Sequence, residues 1–302
     1  MKYTDRIILS KLFLFDLEPV KSYRDLFYWV VSRLIMTIAI IQARMGSTRL
    51  PGKIMMQVRN KPLLHYVINQ ALQSKKINKL IIATTNSSQD DQIVKFVDPY
   101  GVEVFRGSEE DVLDRYYQCA KKYNSDIIVR ITSDCPLIDP NLIDKCITKF
   151  ESHNFNYFSN INKKIGEVWI YHLSGFPLGF AVEVFTFETL ENAWKNAKKP
   201  SDREHVTQYI LDNPKLFKIG NLENSKNYSD MRLAVDHQID FDLVKTIIEH
   251  FPDGEVFDME KIAKFLNENP QLKQMNSRLQ FNEGYLKSLE QDKIVEDKQH
   301  NL

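Results

Sequence analysis

From Met36 onward the chain alternates short runs of branched apolar residues with longer segments whose apolar residues recur every three or four positions. The run Ile38-Ala39-Ile40-Ile41 has the length and branching of a buried strand and passes at once into a polar, glycine-bearing loop at residues 42–53. Leu63, Leu64, Val67, Ile68, Ala71 and Leu72 then fall on one face of a helix that opens beside Pro62. The same reading predicts a strand at 79–84, a helix at 90–100 with Ile93, Val94 and Val97 inward, a short strand at 102–105 and a helix at 111–123. A strand at 126–131 and a helix at 140–150, with Pro140 in its first position, continue the series. Alternation at this pace calls for right-handed crossovers and a mainly parallel sheet with helices on both faces. The expected class is a doubly wound α/β domain.

The rhythm breaks at 154–178, where aromatics, asparagines and glycines replace the periodic runs, and we read about 154–180 as an insertion carrying substrate or dimer contacts. Beyond it the pattern predicts a strand at 182–185, helices at 187–198 and 203–211, a strand at 231–235 and a helix at 241–250. From Met259 the chain reads as a polar helical tail with a stripe at Ile262, Phe265 and Leu266. The expected organisation is an N-terminal extension at 1–35, an α/β domain at 36–250 with its insertion, and a helical tail at 251–302. Because Met36 opens the first strand so naturally, the extension reads either as a packed helical segment or as the product of an upstream start. Its apolar stretch at 7–15 is too short to span a bilayer and contains Lys11, and the stretch at 26–41 is interrupted by Arg33, so no membrane insertion is expected. Asp5, Asp16 and Glu18 around the first stretch argue against a signal peptide.

Charge narrows the possibilities. The 302 residues include 40 Lys plus Arg against 40 Asp plus Glu, which excludes a general nucleic-acid-coating surface. Cys119, Cys135 and Cys146 form neither a CxxC pair nor a zinc spacing, which suits a reducing, cytoplasmic setting. Only 10 glycines are present, so the two within Gln42-Ala43-Arg44-Met45-Gly46-Ser47-Thr48-Arg49-Leu50-Pro51-Gly52-Lys53 carry weight. That loop leaves the carboxyl end of the first strand, where open α/β sheets bind ligands. Its three cations, hydroxyls and turn amides suit a polyphosphate. Five residues between Gly46 and Gly52, with Ile54 after Lys53, exclude a P-loop, and no GxGxxG follows the strand. Ala43, Arg44, Gly46, Ser47, Arg49 and Lys53 are the polyphosphate-binding candidates, with Arg44 and Lys53 set on the phosphates and Arg49 open to a local acidic partner instead.

Asp134 follows the strand at 126–131 closely and precedes Pro136; Asp236 ends the strand expected at 231–235. Carboxylates at two strand ends can hold a hard cation such as Mg²⁺, although either can also serve as a turn former. Asp139, before Pro140, reads as a helix cap.

The loop at 42–53 resembles the signature of the sugar nucleotidyltransferases related to acylneuraminate and 3-deoxy-manno-octulosonate cytidylyltransferases, and the wider chain is most similar to the spore coat polysaccharide biosynthesis protein SpsF group. Further blocks agree in order: Asn60-Lys61-Pro62-Leu63-Leu64, Ala83-Thr84-Thr85, Phe105-Arg106-Gly107-Ser108, Asp111-Val112-Leu113-Asp114-Arg115, Ser133-Asp134-Cys135-Pro136, Arg203-Glu204-His205, and Asn282-Glu283-Gly284-Tyr285. The resemblance implies a nucleotide-diphospho-sugar transferase-like fold and a homodimer. It implies CTP as cosubstrate, Mg²⁺ held by Asp134 and Asp236, and transfer of CMP to a sugar or sugar acid for surface polysaccharide synthesis.

Arg44, Lys53, Asp134 and Asp236 are then the catalytic candidates. Thr84, Arg106 and Asp111 are candidates for the base or ribose pocket, with a surface ion pair and a helix cap as the alternatives for Arg106 and Asp111. Glu183, Arg203, His205 and Arg232 are candidates for the acceptor side. One position departs from the group: Ala181 stands where it usually carries an acidic residue. That departure keeps a noncatalytic nucleotide-binding subunit in play, and a nucleotide-binding α/β domain with acidic metal ligands also suits a glycosyltransferase using a nucleotide sugar.

Overall fold

The computed structural model describes residues 35–165, 168–171 and 174–300, and the expectations for the N-terminal extension lie outside them. The chain enters as β1 (Thr37–Gln42), whose first five residues are all buried. A hairpin, β2 (Gln57–Val58) and β3 (Lys61–Pro62), turns through Arg59 and Asn60, both at positive φ of 49° and 59°. That paired left-handed geometry is the turn that matches strand twist. Helix α1 (Leu63–Leu72) leads to β4 (Lys79–Thr85), α2 (Asp91–Val97), β5 (Glu103–Gly107) and α3 (Val112–Lys122). Helix α3 starts where the Asp111 carboxylate accepts the Asp114 N–H and ends with Lys121 and Lys122, both favourable to its dipole. Next come β6 (Ile127–Thr132) and α4 (Pro140–His153), capped by Asp139 as the sequence suggested.

The second half holds β7 (Tyr157–Ser159), a hairpin of β8 (Asn162–Ile165) and β9 (Val168–Tyr171), β10 (Glu183–Thr186) and α5 (Phe187–Asn196). Short helices α6 (Pro200–His205) and α7 (Gln208–Asp212), strand β11 (Ile219–Asn221), α8 (Gln238–His250), α9 (Met259–Glu268), α10 (Pro270–Gln274) and α11 (Glu283–His300) complete it. Among the described residues the main sheet has seven strands in the order β11-β7-β10-β6-β1-β4-β5. Neighbours run parallel except β10, which is antiparallel to β6 and β7. The chain builds outward from β1 through β4 to β5 and then returns to place β6 on the other side of β1. The switch point between β1 and β6 is where open α/β sheets form a ligand crevice.

Ile38, Ile40, Ile81, Tyr116 and Ile128 pack in one buried cluster against the sheet. Each fully buried side chain of this size contributes roughly 1.5–3 kcal/mol relative to exposure. The tail belongs to the same body: Gln70 donates to the Ile138 and Phe257 carbonyls at 2.7 and 3.0 Å and accepts from the Phe257 N–H at 3.0 Å. Asp139 also accepts the N–H of Met259, the first residue of α9, at 3.1 Å.

Three expectations change. The segment read as an insertion supplies β7 to the main sheet, paired with β10 and β11. The strand expected at 231–235 is an extended segment with one bridge, Arg232 to Leu178. There Gly179, at φ 104°, lies so close that a Cβ would sit 2.5 Å from the Leu233 carbonyl carbon, and main-chain packing replaces a ladder. The helix expected at 203–211 is split into α6 and α7 by Val206, at φ 64°.

Candidate active site

Leaving β1, the chain keeps one more sheet contact, Ala43 N–H to the Ala83 carbonyl at 3.0 Å, and then lifts away. Asp90, buried under the loop, accepts the Met45 N–H at 2.8 Å through one oxygen. Its other oxygen accepts from the hydroxyls of Thr84 and Thr85 at 2.9 and 2.5 Å and from the Thr85 N–H at 3.1 Å. Burial alone would raise the Asp90 pKa, but these four donors outweigh it and hold the carboxyl below its ordinary value. Farther along, the Met45 carbonyl accepts the N–H groups of Ser47 and Gly52 at 2.8 and 3.1 Å, closing the turn that contains Gly46. Gly52 takes φ 69°, a left-handed position suited to glycine.

The turn delivers Lys53 into the crevice. Its buried ammonium donates to the Val235 carbonyl at 2.6 Å, Asp236 at 2.9 Å and Asp134 at 3.0 Å. Desolvation favours the neutral amine, yet the two carboxylates prevail and raise the Lys53 pKa. For Asp134 burial works upward, while the Lys53 charge and a bond from Thr132 hold the carboxyl below the usual range. Asp236 also receives Arg49 at 2.5 Å and Arg232 at 3.2 Å.

Lys53, Asp134 and Arg49 border a cavity of about 530 Å³, with Asp236 behind Lys53 and Arg49. One wall carries Ala43, Arg44, Ser47, Arg49 and Lys53, with Asp134 beside them; another carries Glu204 and His205 of α6 with Glu283, Lys287 and Ser288 of α11; Val112 and Arg115 come from α3. Arg44 and Glu204, each about a third exposed, face one another at 3.5 Å. His205 Nε2 pairs with the Ser288 hydroxyl at 3.0 Å, and burial, aided by the Arg130 charge, pushes its pKa down to about 4.

The other sequence candidates stand behind these walls. Thr84 serves Asp90, as described. Arg106 ties β5 to the turn after β4 through the Thr85 and Ser87 carbonyls at 2.8 and 2.6 Å and through Asp91. Asp111 caps α3 and pairs with Arg203, so two candidates neutralise each other. Glu183 is buried against Arg130 and accepts the hydroxyls of Tyr157 and Thr207 at 2.7 and 2.6 Å. Arg232 is buried between Asp236 and Asp240. Sequence reasoning assigned nothing to Arg115 or to Lys287 and Ser288; the Asn282-Glu283-Gly284-Tyr285 block was the one signal that the tail reaches the site.

A basic loop on β1 opposed to carboxylates beyond β6, at the switch point of a mainly parallel sheet, is an arrangement consistent with the nucleotidyltransferase fold. The chain belongs to the cytidylyltransferase family, which matches residues 38–287. An uncharacterized protein of Methanocaldococcus jannaschii is 43% identical over 244 residues, covering 80% of this chain and 95% of that protein. The spore coat polysaccharide biosynthesis protein SpsF of Bacillus subtilis is 32% identical over 238 residues, covering 76% and 94%. A solved cytidylyltransferase from Leptospira borgpetersenii superposes with a TM-score of 0.73 at 33% identity, covering 80% of this chain and 97% of that one.

Proposed function

We propose that the protein is a Mg²⁺-dependent cytidylyltransferase that transfers CMP from CTP to a sugar or sugar acid for surface polysaccharide synthesis. The observation that carries this reading is the Lys53 ammonium held between Asp134 and Asp236 beside the loop of Arg44 and Arg49. The acceptor oxygen attacks the α-phosphorus, a new O–P bond forms, and the bond to the β-phosphate oxygen breaks. Pyrophosphate leaves with that electron pair, and the hydroxyl proton passes to solvent.

Charge placement dominates such a reaction. Arg44 and Lys53 offset the charge growing on the leaving pyrophosphate, and Arg49 joins them if the phosphates displace Asp236. His205 and Glu204 stand on the opposite wall for the acceptor, while Glu183, Arg203 and Arg232 keep that wall in position. Thr84, Asp111 and Arg106 act at one remove, through Asp90, α3 and the turn after β4.

The donors would fit magnesium through Asp134, whose Oδ1 has the Cys135 thiol as a neighbour at 3.6 Å, and through Asp236 once the phosphates draw Arg49 and Lys53 off its Oδ1. Such a pair suits an ion that keeps waters and takes phosphate oxygens. Bound there, magnesium would polarise the α-phosphoryl group.

The cytoplasmic setting is supported by three free, buried cysteines and by the lack, among the described residues, of a helix long and apolar enough to cross a membrane. The homodimer rests on the family resemblance and is checked by light scattering. The test of function incubates the protein with Mg²⁺, each nucleoside triphosphate and a panel of acidic and neutral sugars, following pyrophosphate and new nucleotide sugar by mass. A CTP-dependent product lost in Asp134→Ala and Lys53→Ala is expected. Full turnover in both variants would defeat the site assignment, and use of a nucleotide sugar as donor would favour a glycosyltransferase.

A further inference from the structure

Three cationic side chains are buried among the described residues: Lys53, Arg115 and Arg232. Lys53 and Arg232 each touch two carboxylates. Arg115 is 1% exposed, and its one hydrogen bond runs from Nη1 to the Ser108 carbonyl at 2.5 Å. Its Nε–H has no partner, and no carboxylate of the described residues lies within ion-pair distance. An arginine cannot shed its proton to escape such burial. A buried charge left without a counter-charge is the costly arrangement that folded proteins avoid.

Two features make this position a built one. The aliphatic stem lies on Gly107, where a Cβ would come within 3.0 Å of Arg115 Cγ, so the side chain is clamped. The residue also lines the same cavity as Arg44, Lys53 and Asp134. Burial disfavours its charged form and the neighbouring Arg44 charge adds to this, while Tyr116 and the carboxylates of Glu204 and Asp90, all beyond ion-pair distance, offset only part of it. Lys53 already has carboxylates within ion-pair distance there, and Arg44 has Glu204; Arg115 alone of these three has none that close.

We propose that Arg115 is an oxyanion-binding residue of the cavity, supplying its Nη2–H, which makes no hydrogen bond within the described residues, to a substrate oxygen. Resting on the cytidylyltransferase reading, the oxyanion is a phosphate of the nucleotide or the carboxylate of an acidic acceptor. The planar guanidinium, held by Gly107 and Ser108, is ready for it without rearrangement.

The test compares the full-length protein with Arg115→Met and Arg115→Lys by calorimetry, using inorganic pyrophosphate, CTP, cytidine and glucuronate as probes, and by ligand-free thermal melts. Affinity for pyrophosphate and CTP is expected to fall at least tenfold in Arg115→Met and less in Arg115→Lys, with cytidine unchanged. The ligand-free melting temperature of Arg115→Met should hold or rise, which a merely structural arginine would not allow. Loss confined to glucuronate assigns the carboxylate as the oxyanion. Unaltered affinity for all three oxyanions, or a wild-type protein that binds none of them, overturns the proposal. Binding of pyrophosphate without CTP would instead defeat the cytidylyltransferase reading and leave the Arg115 comparison intact.

Discussion

Lys53 and Asp134, 81 positions apart, meet at 3.0 Å because the loop after β1 and the turn after β6 open on the same edge of the sheet. The ammonium simultaneously holds Asp236 at 2.9 Å, so it keeps two carboxylates together that would otherwise repel. We expect Lys53→Ala to lower kcat by roughly 100- to 1,000-fold, the range seen when a donor to developing charge is removed. Lys53→Arg should not restore it, since a planar fork cannot replace a point charge bonded to three separate oxygens. Single-turnover kinetics with CTP checks both variants. Retention of more than a tenth of the rate in Lys53→Ala would refute the role.

His205 sets a pH dependence. Its folded pKa of about 4 lies below the ordinary 6.5, through burial first and the Arg130 charge second. Between those values the unfolded chain binds the extra proton, so stability rises with pH across that window and is lost as pH falls from 6.5 toward 4. Urea melts at a series of pH values should show this slope, and His205→Gln should flatten it. An unchanged slope in the variant would show that other groups carry the effect.

The loop and Asp134 were legible because each follows its own strand within a few residues, so local pattern and chemistry coincide. Asp236 was found for a partly mistaken reason: its expected strand is an irregular segment pressed on Gly179. The antiparallel course of β10 is invisible to hydrophobic periodicity, which carries no direction. Arg115 sits between Asp114 and Tyr116 on α3, and its burial depends on the missing side chain of Gly107 in another element. Several of the acceptor-side candidates, Glu183 and Arg203 among them, were noticed for their charge; the structure shows that charge met by Arg130 and by Asp111.

Gly179 offers a test of how the segment before Asp236 is positioned. At φ 104°, with the Leu233 and Ala234 main chain within 2.7 Å of any added Cβ, alanine must displace backbone. Gly179→Ala is expected to destabilise the fold by on the order of 2–3 kcal/mol. CTP affinity should fall with it as Asp236 moves away from Lys53. Denaturant midpoints and calorimetry give the two numbers, and a variant as stable as wild type would show that the close approach has slack.

Helix α11 makes a cavity wall from the far end of the chain, and one buried carboxylate holds it there. Asp292 accepts the Ser201 N–H at 2.9 Å and the Ser201 hydroxyl at 2.6 Å, joining α11 to the first turn of α6. Four residues before it, Ser288 bonds His205, and at the start of the helix Glu283 meets His237 at 2.9 Å and Arg49 at 3.5 Å. Asp292→Ala leaves the buried Ser201 donors unpaired, for a loss of roughly 2 kcal/mol. The partly exposed contacts at Glu283 are too weak to hold the helix alone. We therefore expect faster hydrogen exchange through α11 and α6, and an acceptor KM raised several-fold with kcat little changed, because Asp134 and Lys53 are anchored elsewhere. Asp292→Asn, which keeps an acceptor oxygen, should recover part of both effects. If exchange in α11 stays at the wild-type rate in Asp292→Ala, the wall is held by packing rather than by this bond.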